Sequence, residues 1–464
     1  MFDLERIARI TGGDFVGRKV DCPLAGISTD SRNMVAGSLF IPLRGERFDG
    51  HDYFSQAVKN GAAACLSEDV VAGLSVPVVR VPDTLKALGD IAATKRLQLK
   101  GPLVAITGSV GKTTTKEMLA TILSLVAPGL KTAGNFNNLI GLPLTLLRLD
   151  TQHQWAVIEM GTSRLGEIER LTEIAQPSIG IVTNVGAAHL ETLHGLDGVS
   201  RAKGELYAGL RGGTAIINLD DRRVAQLPIA NGVKKVTYGF SPQAQVRAEN
   251  IKANGAGVSF ELICAGQQQQ VQLKTPGQHN VINALAASAA ALEMEVPVAT
   301  IVSGLEQFVA ISGRMDLSPL PCGGLLLDDS YNSNPLSAAA ALEALAALPG
   351  NGRKVAVLGD MLELGADSKK MHVELGAKAA TVTDLLIAVG KYATNLCQGA
   401  INAGMTASQL VELPDAAAAI EYLHNEQRSG DKVLVKGSRG IGLEAVVAAL
   451  ITTATTTTNE KSGS

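Results

Sequence analysis

Between Thr107 and Lys116 the chain reads TGSVGKTTTK, directly after the apolar run LVAIT and directly before the helical stretch EMLATILSLV. A short β-rich run, a glycine loop and a helix in that order confine this part of the chain to an α/β layer, with the loop at the strand's carboxyl end. Gly108 and Gly111 let the backbone curl so that successive N–H groups point at phosphate oxygens, and the start of the helix adds partial positive charge. Lys112 is expected to reach the β- and γ-phosphates of ATP and Thr113 to set its hydroxyl on Mg²⁺, with Ser109 and Thr114 completing the cradle. The position five before Gly111 is Ile106 rather than glycine, so the pattern is TGxxGKT, a shorter variant of GxxxxGK[ST]. A glycine turn that merely caps a helix uses the same glycines. The Gly-Lys-Thr string between a strand and a helix favours the phosphate reading.

The chain has 464 residues, too many for one compact core. At roughly 150 residues per domain, about three domains are expected. Hydrophobic residues make up 46% and charged residues 18%, the balance of a globular chain rather than a disordered one. The formal net charge of −3 gives no overall basic field for nucleic acid. Cys22, Cys65, Cys264, Cys322 and Cys397 are scattered and form no CxxC pair, which points to a reducing compartment without a disulfide framework or zinc site. The start, MFDLERIARITGG, carries Asp3 and Glu5 and has no uninterrupted apolar run, so it does not read as a signal peptide. No stretch offers 18 uncharged apolar residues, so no membrane span is expected. The default is a cytoplasmic protein.

Patterning divides the chain into an N-terminal α/β domain (1–83), a central domain (84–314) and a C-terminal domain (315–464). The first mixes short apolar runs such as LFIPL and AACLS with turn residues. Asp83 or Thr84 is expected to cap a helix with Leu85, Leu88 and Ile91 on one face, stopped by Gly101-Pro102. Beyond the phosphate loop, AVIEM, IGIVTNV and TAIINLD read as buried strands of a mostly parallel sheet. Alternation between about Lys234 and Leu273, as in VSFELICA, predicts antiparallel strands. LLLDD, KVAVLGD, DLLIAVG and DKVLVKGS, separated by stretches such as PLSAAAALEALAAL, predict a separate Rossmann-like, doubly wound domain. The last residues, TTATTTTNEKSGS, are low in complexity and are expected to be disordered.

TGSVGKTTTKE followed by GNFNNLIGLPLTLL resembles the Mur ligases of peptidoglycan synthesis. So do IEMG, AAHLETLHG, RAKGE, GQHNVINALAA, SGRM, DDSYNSNP, GDMLELG and VKGSRG, in that order, with STDSRNMVAGSLFIPLRGERFDGHD near the start. The resemblance covers nearly the whole chain. It implies three α/β domains: a UDP-substrate domain, a central mononucleotide-binding ATPase domain and a C-terminal Rossmann-like ligase domain. It also implies ATP-driven joining of a carboxylate to an amine through an acyl phosphate. DDSYNSNP and GDMLELG look most like the member that adds D-alanyl-D-alanine to a UDP-muramoyl-tripeptide, although the family's usual Tyr-Asn-Ala-Asn-Pro has Ser333 in its middle here. The Asp-Asn-Pro-Arg string of the ligase that adds the third residue does not occur.

The remaining candidates carry two readings each. Glu159 ends the strand AVIEM, where ligands collect in α/β sheets, and is a hard oxygen donor for Mg²⁺. His189, in AAHLE, is by itself more simply a structural or surface residue; the resemblance implies that it binds a second metal with Glu159. Lys203, in RAKGELYAGL, reads as a solvated helix lysine; the resemblance implies that it is carbamoylated and serves as an anionic metal ligand. Asn280 in GQHN reads as a cap, and by resemblance as an adenine contact, while His279 could equally be a packing residue. Arg314 in SGRM reads as a hinge residue, and by resemblance as a clamp on the γ-phosphate. By resemblance Asp329 binds the ribose, with Tyr331 beside it at the substrate.

Ser31 and Arg32 can donate to a diphosphate or uracil oxygen. Asn137 and Asn138, with Gly141, are placed at the sugar or peptide, and Asn334, Lys436 and Ser438 at the incoming dipeptide. The expected partners are these small molecules, with no nucleic acid, acting on a monomer. A non-catalytic binding protein that keeps the fold is one competing reading, against which Lys112, Glu159, His189 and Lys203 together speak; two catalytic readings also compete. One is another ligase of the superfamily, adding a single amino acid or glutamylating folate. The other is a phosphate-loop NTPase that drives a partner.

Overall fold

A computed structural model of the chain describes residues 2–16, 22–71, 73–255, 257–321 and 323–452. Cys322 and the low-complexity tail beyond Thr452 lie outside the described residues. The chain divides into two compact units. One comprises Met1–Ala105, Ala127–Gly161 and Glu167–Ser178, and the other Ile106–Val126, Thr162–Gly166 and the chain from Ile179 onward.

In the first unit five strands pair in the order Asp14–Val16, Val78–Arg80, Ala62–Ser67, Ser38–Phe40, Ile27–Ser28. The first pairing is antiparallel and the rest are parallel. Successive strand residues point to opposite faces, and both faces are buried. Leu39, Ile41, Ala64, Leu66 and Val79 pack with the helices Leu4–Thr11 and Thr84–Arg96. Phe40, Cys65 and Val78 pack with Phe54 and Ala57 of the helix Phe54–Lys59.

Asp83, not Thr84, caps the helix Thr84–Arg96, accepting from Lys86 N at 2.8 Å, while the Thr84 hydroxyl donates to Glu68 at 2.9 Å. Leu88 and Ile91 are buried in the same cluster as Leu4 and Ile7, and Leu85 is half-buried. The helix stops at Arg96, ahead of Gly101-Pro102. The buried Arg96 guanidinium collects the carbonyls of Leu99 and Ala175 at 3.0 and 2.8 Å, which turns the chain out of the helix. The strands Gly129–Lys131 and Trp155–Glu159 run parallel in this unit.

In the second unit Ile179–Val182, Thr214–Asn218 and Lys234–Gly239 pair in parallel. Antiparallel pairing begins only with Val246–Asn254, Gly257–Cys264 and Gln267–Leu273. Lys234–Gly239 therefore belongs to the parallel part, because the chain reaches it by a crossover through the short helix Arg222–Ala225 rather than by a hairpin. The helices Lys112–Ser124 and Gln278–Glu293 pack together.

The C-terminal sheet has the order Asp316–Pro319, Leu325–Asp328, Lys432–Lys436, Lys354–Gly359, Leu385–Val389, Leu410–Leu413. All pairs but the first are parallel. The last strand in sequence, Lys432–Lys436, is inserted between Leu325–Asp328 and Lys354–Gly359, which brings the carboxyl ends of all three side by side. Among the described residues no helix is long and apolar enough to cross a membrane. Burial pushes the Cys65 and Cys397 thiols up to about 12, so both are packing residues.

Candidate active site

Gly108 and Gly111 stand at φ 147° and 85°, in the region that favours glycine. A Cβ on Gly108 would sit 1.9 Å from Thr183 Oγ1, and one on Gly111 2.3 Å from Asn283 Oδ1, so neither can be substituted without moving a wall. Lys112 opens the helix Lys112–Ser124 and folds its ammonium back onto Gly108 O at 2.8 Å. Thr113 is buried in the first helical turn, Thr114 is half-buried, and the Ser109 hydroxyl donates to Gly186 O at 3.0 Å.

Behind the loop, Asn280 is 3% exposed and donates to Pro276 O at 2.7 Å. Its Oδ1 accepts from Asn283 Nδ2 at 3.3 Å, and Asn283 Oδ1 faces the Thr115 hydroxyl at 3.4 Å. One hydrogen-bond series thus runs from the GQHN turn to the phosphate loop. Burial pushes the His279 imidazole down to about 4, assisted by Lys436 and opposed by Glu343.

His189 has a left-handed backbone, φ 54°, and so does Glu363, φ 62°, whose Oε2 lies 2.5 Å from His189 Nδ1, a contact that draws the Glu363 carboxyl below the usual range. Non-glycine residues in that region carry strain that the surrounding structure must hold. A cavity of about 610 Å³ opens beside this pair, lined by Leu190, Glu191, His194, Leu362, Glu363 and Tyr392 among others. Lys203 is 2% exposed on the helix Leu196–Ala208, which excludes the solvated reading of its sequence. It lies on the apolar stripe with Val199, Ala202 and Leu206.

In the other unit, Glu159 is a buried carboxylate at its strand's carboxyl end, accepting from Asn137 Nδ2 at 2.8 Å. Asn138 points elsewhere: its Oδ1 accepts from the N–H groups of Ile140 and Gly141 at the start of the helix Gly141–Leu146.

The strand ends of the C-terminal sheet gather five of the remaining candidates. Lys436 Nζ donates to Asp329 Oδ2 at 2.5 Å and to Asn332 O at 2.8 Å. Burial pushes the Asp329 carboxyl above the usual range, against the pull of Lys436. Arg314 stacks over Tyr331 at 4.1 Å, and Arg439 approaches the same ring at 5.3 Å. The Ser438 hydroxyl donates to Ser333 O at 3.2 Å and accepts from Leu362 N at 2.9 Å. The Asn334 Oδ1 caps the helix Pro335–Ala347, accepting from Ser337 N at 2.9 Å.

On the N-terminal sheet the Ser31 hydroxyl donates inward to Gln56 at 3.0 Å, and exposed Arg32 grips Asp30 with two guanidinium nitrogens at 2.9 and 2.8 Å. Thr183, Asn184 and Asn283 touch the phosphate loop but do not stand out in the sequence. The one local signal for the first two is a polar pair at the end of a buried strand.

A phosphate loop at a parallel strand's carboxyl end, backed by a second doubly wound sheet, defines a nucleotide-dependent α/β enzyme. The Mur ligase family catalytic-domain model matches residues 23–96, the Mur ligase middle domain 106–291 and the Mur ligase glutamate ligase domain 313–439, and the chain belongs to the Mur ligase family. It is 41% identical to the UDP-N-acetylmuramoyl-tripeptide–D-alanyl-D-alanine ligase of Escherichia coli (strain K12), covering 96% of this chain and 98% of that one. Among solved structures it is similar to MurF from Acinetobacter baumannii, with a TM-score of 0.89 at 36% identity over 96% of this chain and 98% of that one. It is also similar to the MurF ligase from Thermotoga maritima in complex with ADP, with a TM-score of 0.83 at 27% identity over 92% and 96%.

Proposed function

We propose that this chain joins D-alanyl-D-alanine to UDP-N-acetylmuramoyl-tripeptide at the expense of ATP, in the synthesis of peptidoglycan precursors. The observation that carries the reading is a formed phosphate loop in a chain whose E. coli relative of that name matches it almost from end to end. Amide formation in water is uphill, so the tripeptide carboxylate first attacks the γ-phosphorus and ADP leaves. The amine of the dipeptide then attacks the acyl carbon and phosphate leaves, taking up the proton that the amine loses. Such chemistry asks mainly for positioning and charge neutralisation.

Residue roles follow from that chemistry. Lys112, with Gly108, Ser109, Gly111, Thr113 and Thr114, holds the ATP phosphates. Asn280 keeps a second amide hydrogen for adenine, Asp329 meets the ribose, and Arg314 and Tyr331 approach the reacting end. Ser31 and Arg32 hold the UDP moiety, and Asn137 and Asn138 the sugar or peptide. Asn334, Lys436 and Ser438 frame the dipeptide. The three domains are 1–83, 84–314 and 315–464. The enzyme works as a monomer in the cytoplasm, where ATP is made available to it.

Taken one by one, the donors suit magnesium. Glu159 presents a buried carboxylate at a strand end, Thr113 a hydroxyl in the first helical turn and His189 an imidazole on a constrained turn. Bound Mg²⁺ would neutralise phosphate charge there. We place Lys203 in the same set as a carbamate. Its burial accords with a side chain that has lost its positive charge. Lys203→Ala is expected to be nearly inactive and partly restored by a small carboxylate in the buffer, whereas Lys203→Arg resists rescue because its side chain still fills the space with a cation. Retention of most turnover by Lys203→Ala would remove the carbamate from the scheme.

The whole reading is tested by phosphate release with UDP-muramoyl-tripeptide, with and without the dipeptide. Turnover should need both substrates and yield an amide. Equal release without dipeptide, with no amide formed, would leave a nucleotide hydrolase instead. A ligase that adds one amino acid would turn over with a single amino acid in place of the dipeptide.

A further inference from the structure

The segment after the strand Ile179–Val182 grips the phosphate loop atom by atom. Thr183 N donates to Thr107 O at 2.9 Å, and Ser109 N to Asn184 O at 3.1 Å. The Asn184 side chain then takes both polar backbone atoms of Val110: its Oδ1 accepts the Val110 N–H at 2.8 Å and its Nδ2 donates to Val110 O at 2.9 Å. The Thr183 hydroxyl reaches the same carbonyl at 2.6 Å. The Ser109 hydroxyl closes the set on Gly186, donating to its carbonyl at 3.0 Å and accepting its N–H at 2.9 Å.

We propose that Asn184 is a positioning residue for nucleotide binding, which holds the loop open in its binding shape before the phosphates arrive. The proposal rests on the reading of Thr107–Lys116 as the phosphate loop. A loop whose N–H groups converge on one point is self-repelling when nothing anionic lies there, and its glycines carry the largest conformational entropy. Some outside group must fix it, or the nucleotide's binding free energy is consumed in ordering it. Here the Val110 N–H is turned into protein and held by Asn184, so this donor anchors the loop instead of joining the cradle. The shortened motif, with Ile106 where the longer form has glycine, leaves the loop less backbone of its own to close on itself, and a neighbouring amide supplies the closure. Asparagine suits the post because it offers a donor and an acceptor without a charge that would repel phosphate or compete with Lys112.

The test is titration of ADP and, separately, of the UDP-tripeptide into four folded proteins: wild type, Asn184→Ala, Asn218→Ala and Lys112→Ala. Asn218 is a buried brace on the same segment that does not touch the loop. Its Nδ2 donates to Thr183 O at 2.8 Å and its Oδ1 accepts from Asp220 N at 3.0 Å. Asn184→Ala should weaken ADP about tenfold, the scale of two lost hydrogen bonds and a loop left to order on binding, with UDP-tripeptide affinity unchanged. Asn218→Ala should lower thermal stability and leave ADP affinity where it was. ADP affinity within twofold of wild type in Asn184→Ala overturns the proposal, as does an equal loss in Asn218→Ala. Lys112→Ala separates the two levels. If it loses ADP and Asn184→Ala does not, only the positioning role falls. If neither loses ADP, the phosphate-loop reading falls with it. Should Asn184→Ala fail to fold, Asn184→Asp keeps the acceptor for Val110 N–H and substitutes a charge for the donor. It should weaken ADP at least as much, and wild-type affinity in it overturns the proposal equally.

Discussion

Around Val110 every fixing contact is neutral: two amide bonds from Asn184, a hydroxyl from Thr183 and a hydroxyl bridge from Ser109 to Gly186. Around Asp329 the contacts are charged. Lys436 is pinned to the carboxylate at 2.5 Å, and Arg314 and Arg439 flank the Tyr331 ring two residues on. Both regions sit at the carboxyl ends of parallel strands, so topology does not separate them. Their loads do. The loop must leave its electrostatic field to the ligand, since a fixed anion beside it would repel phosphate and a fixed cation would compete with Lys112. The strand ends of the C-terminal sheet must hold polar side chains in a buried setting before any ligand is present, and opposite charges can do that only while both partners remain.

The largest effect follows on the neutral side. Lys112 is half-buried, donates to Gly108 O and opens a helix at the end of a loop, so it supplies little core and its removal should leave the fold intact. Its charge counts most as negative charge builds on the transferred phosphoryl group. Lys112→Ala should therefore lower kcat by about a thousandfold, with apparent Tm close to wild type. Near-normal kcat, or a Tm loss matching the activity loss, would break the contrast between a loop whose charge serves the ligand alone and a cluster whose charges must also hold each other.

Asp329→Ala should do the reverse in stability. It leaves Lys436, 1% exposed, with an uncompensated charge and only the Asn332 carbonyl as partner. Breaking such a pair costs about 3 kcal/mol. The apparent Tm should fall by several degrees, and adding Lys436→Met should recover part of the loss. An Asp329→Ala protein as stable as wild type would mean that the pair is not the anchor of these strand ends.

Sequence reached these regions unequally, for physical reasons. The phosphate loop is local, since Gly108, Gly111, Lys112 and Thr113 act within one turn of each other, and a string of letters suffices. Motif order then delivered the family and with it the α/β architecture. Asn184 was hidden inside IGIVTNV because its partner lies 74 positions away in sequence, at Val110, and no periodicity reports such a pairing. Lys203 reads as solvated because it is a lysine, and the structure overturns that reading: Val199, Ala202, Leu206 and Tyr207 recur at helical spacing around it and share its buried face. The left-handed turns at His189 and Glu363 left no trace: glutamate does not favour that conformation, and histidine, though enriched there, still adopts it at only a small share of its positions. The antiparallel stretch was assigned too early, at Lys234, because alternation alone does not give strand direction.

The smallest stability effect, and the sharpest limit on the comparison, belongs to Arg32 and Asp30. They form a bidentate pair, with one contact more than Lys436 makes to Asp329, yet the Arg32 side chain is 80% exposed. If burial rather than pairing makes a charge structural, Arg32→Ala should leave the apparent Tm close to that of the wild type. The Asp30 carboxyl, held down to about 2 chiefly by its hydrogen bond to the Arg32 side chain, should climb back toward 3.8 in the variant, a shift that NMR titration reads directly. A depressed carboxyl adds stability that is present above its unfolded value, near 3.8, and is lost as pH falls through about 2. The wild type should therefore exceed the variant only slightly, and only above that window. The binding role moves a different quantity. If Arg32 holds the UDP moiety, its loss should raise the KM for the UDP-tripeptide severalfold, more at low salt than at high, and leave the KM for ATP alone. A variant with unchanged KM for both substrates would return Arg32 to the ordinary surface. A variant whose apparent Tm fell as far as that of Asp329→Ala would show that exposure does not separate structural from functional charge in this chain.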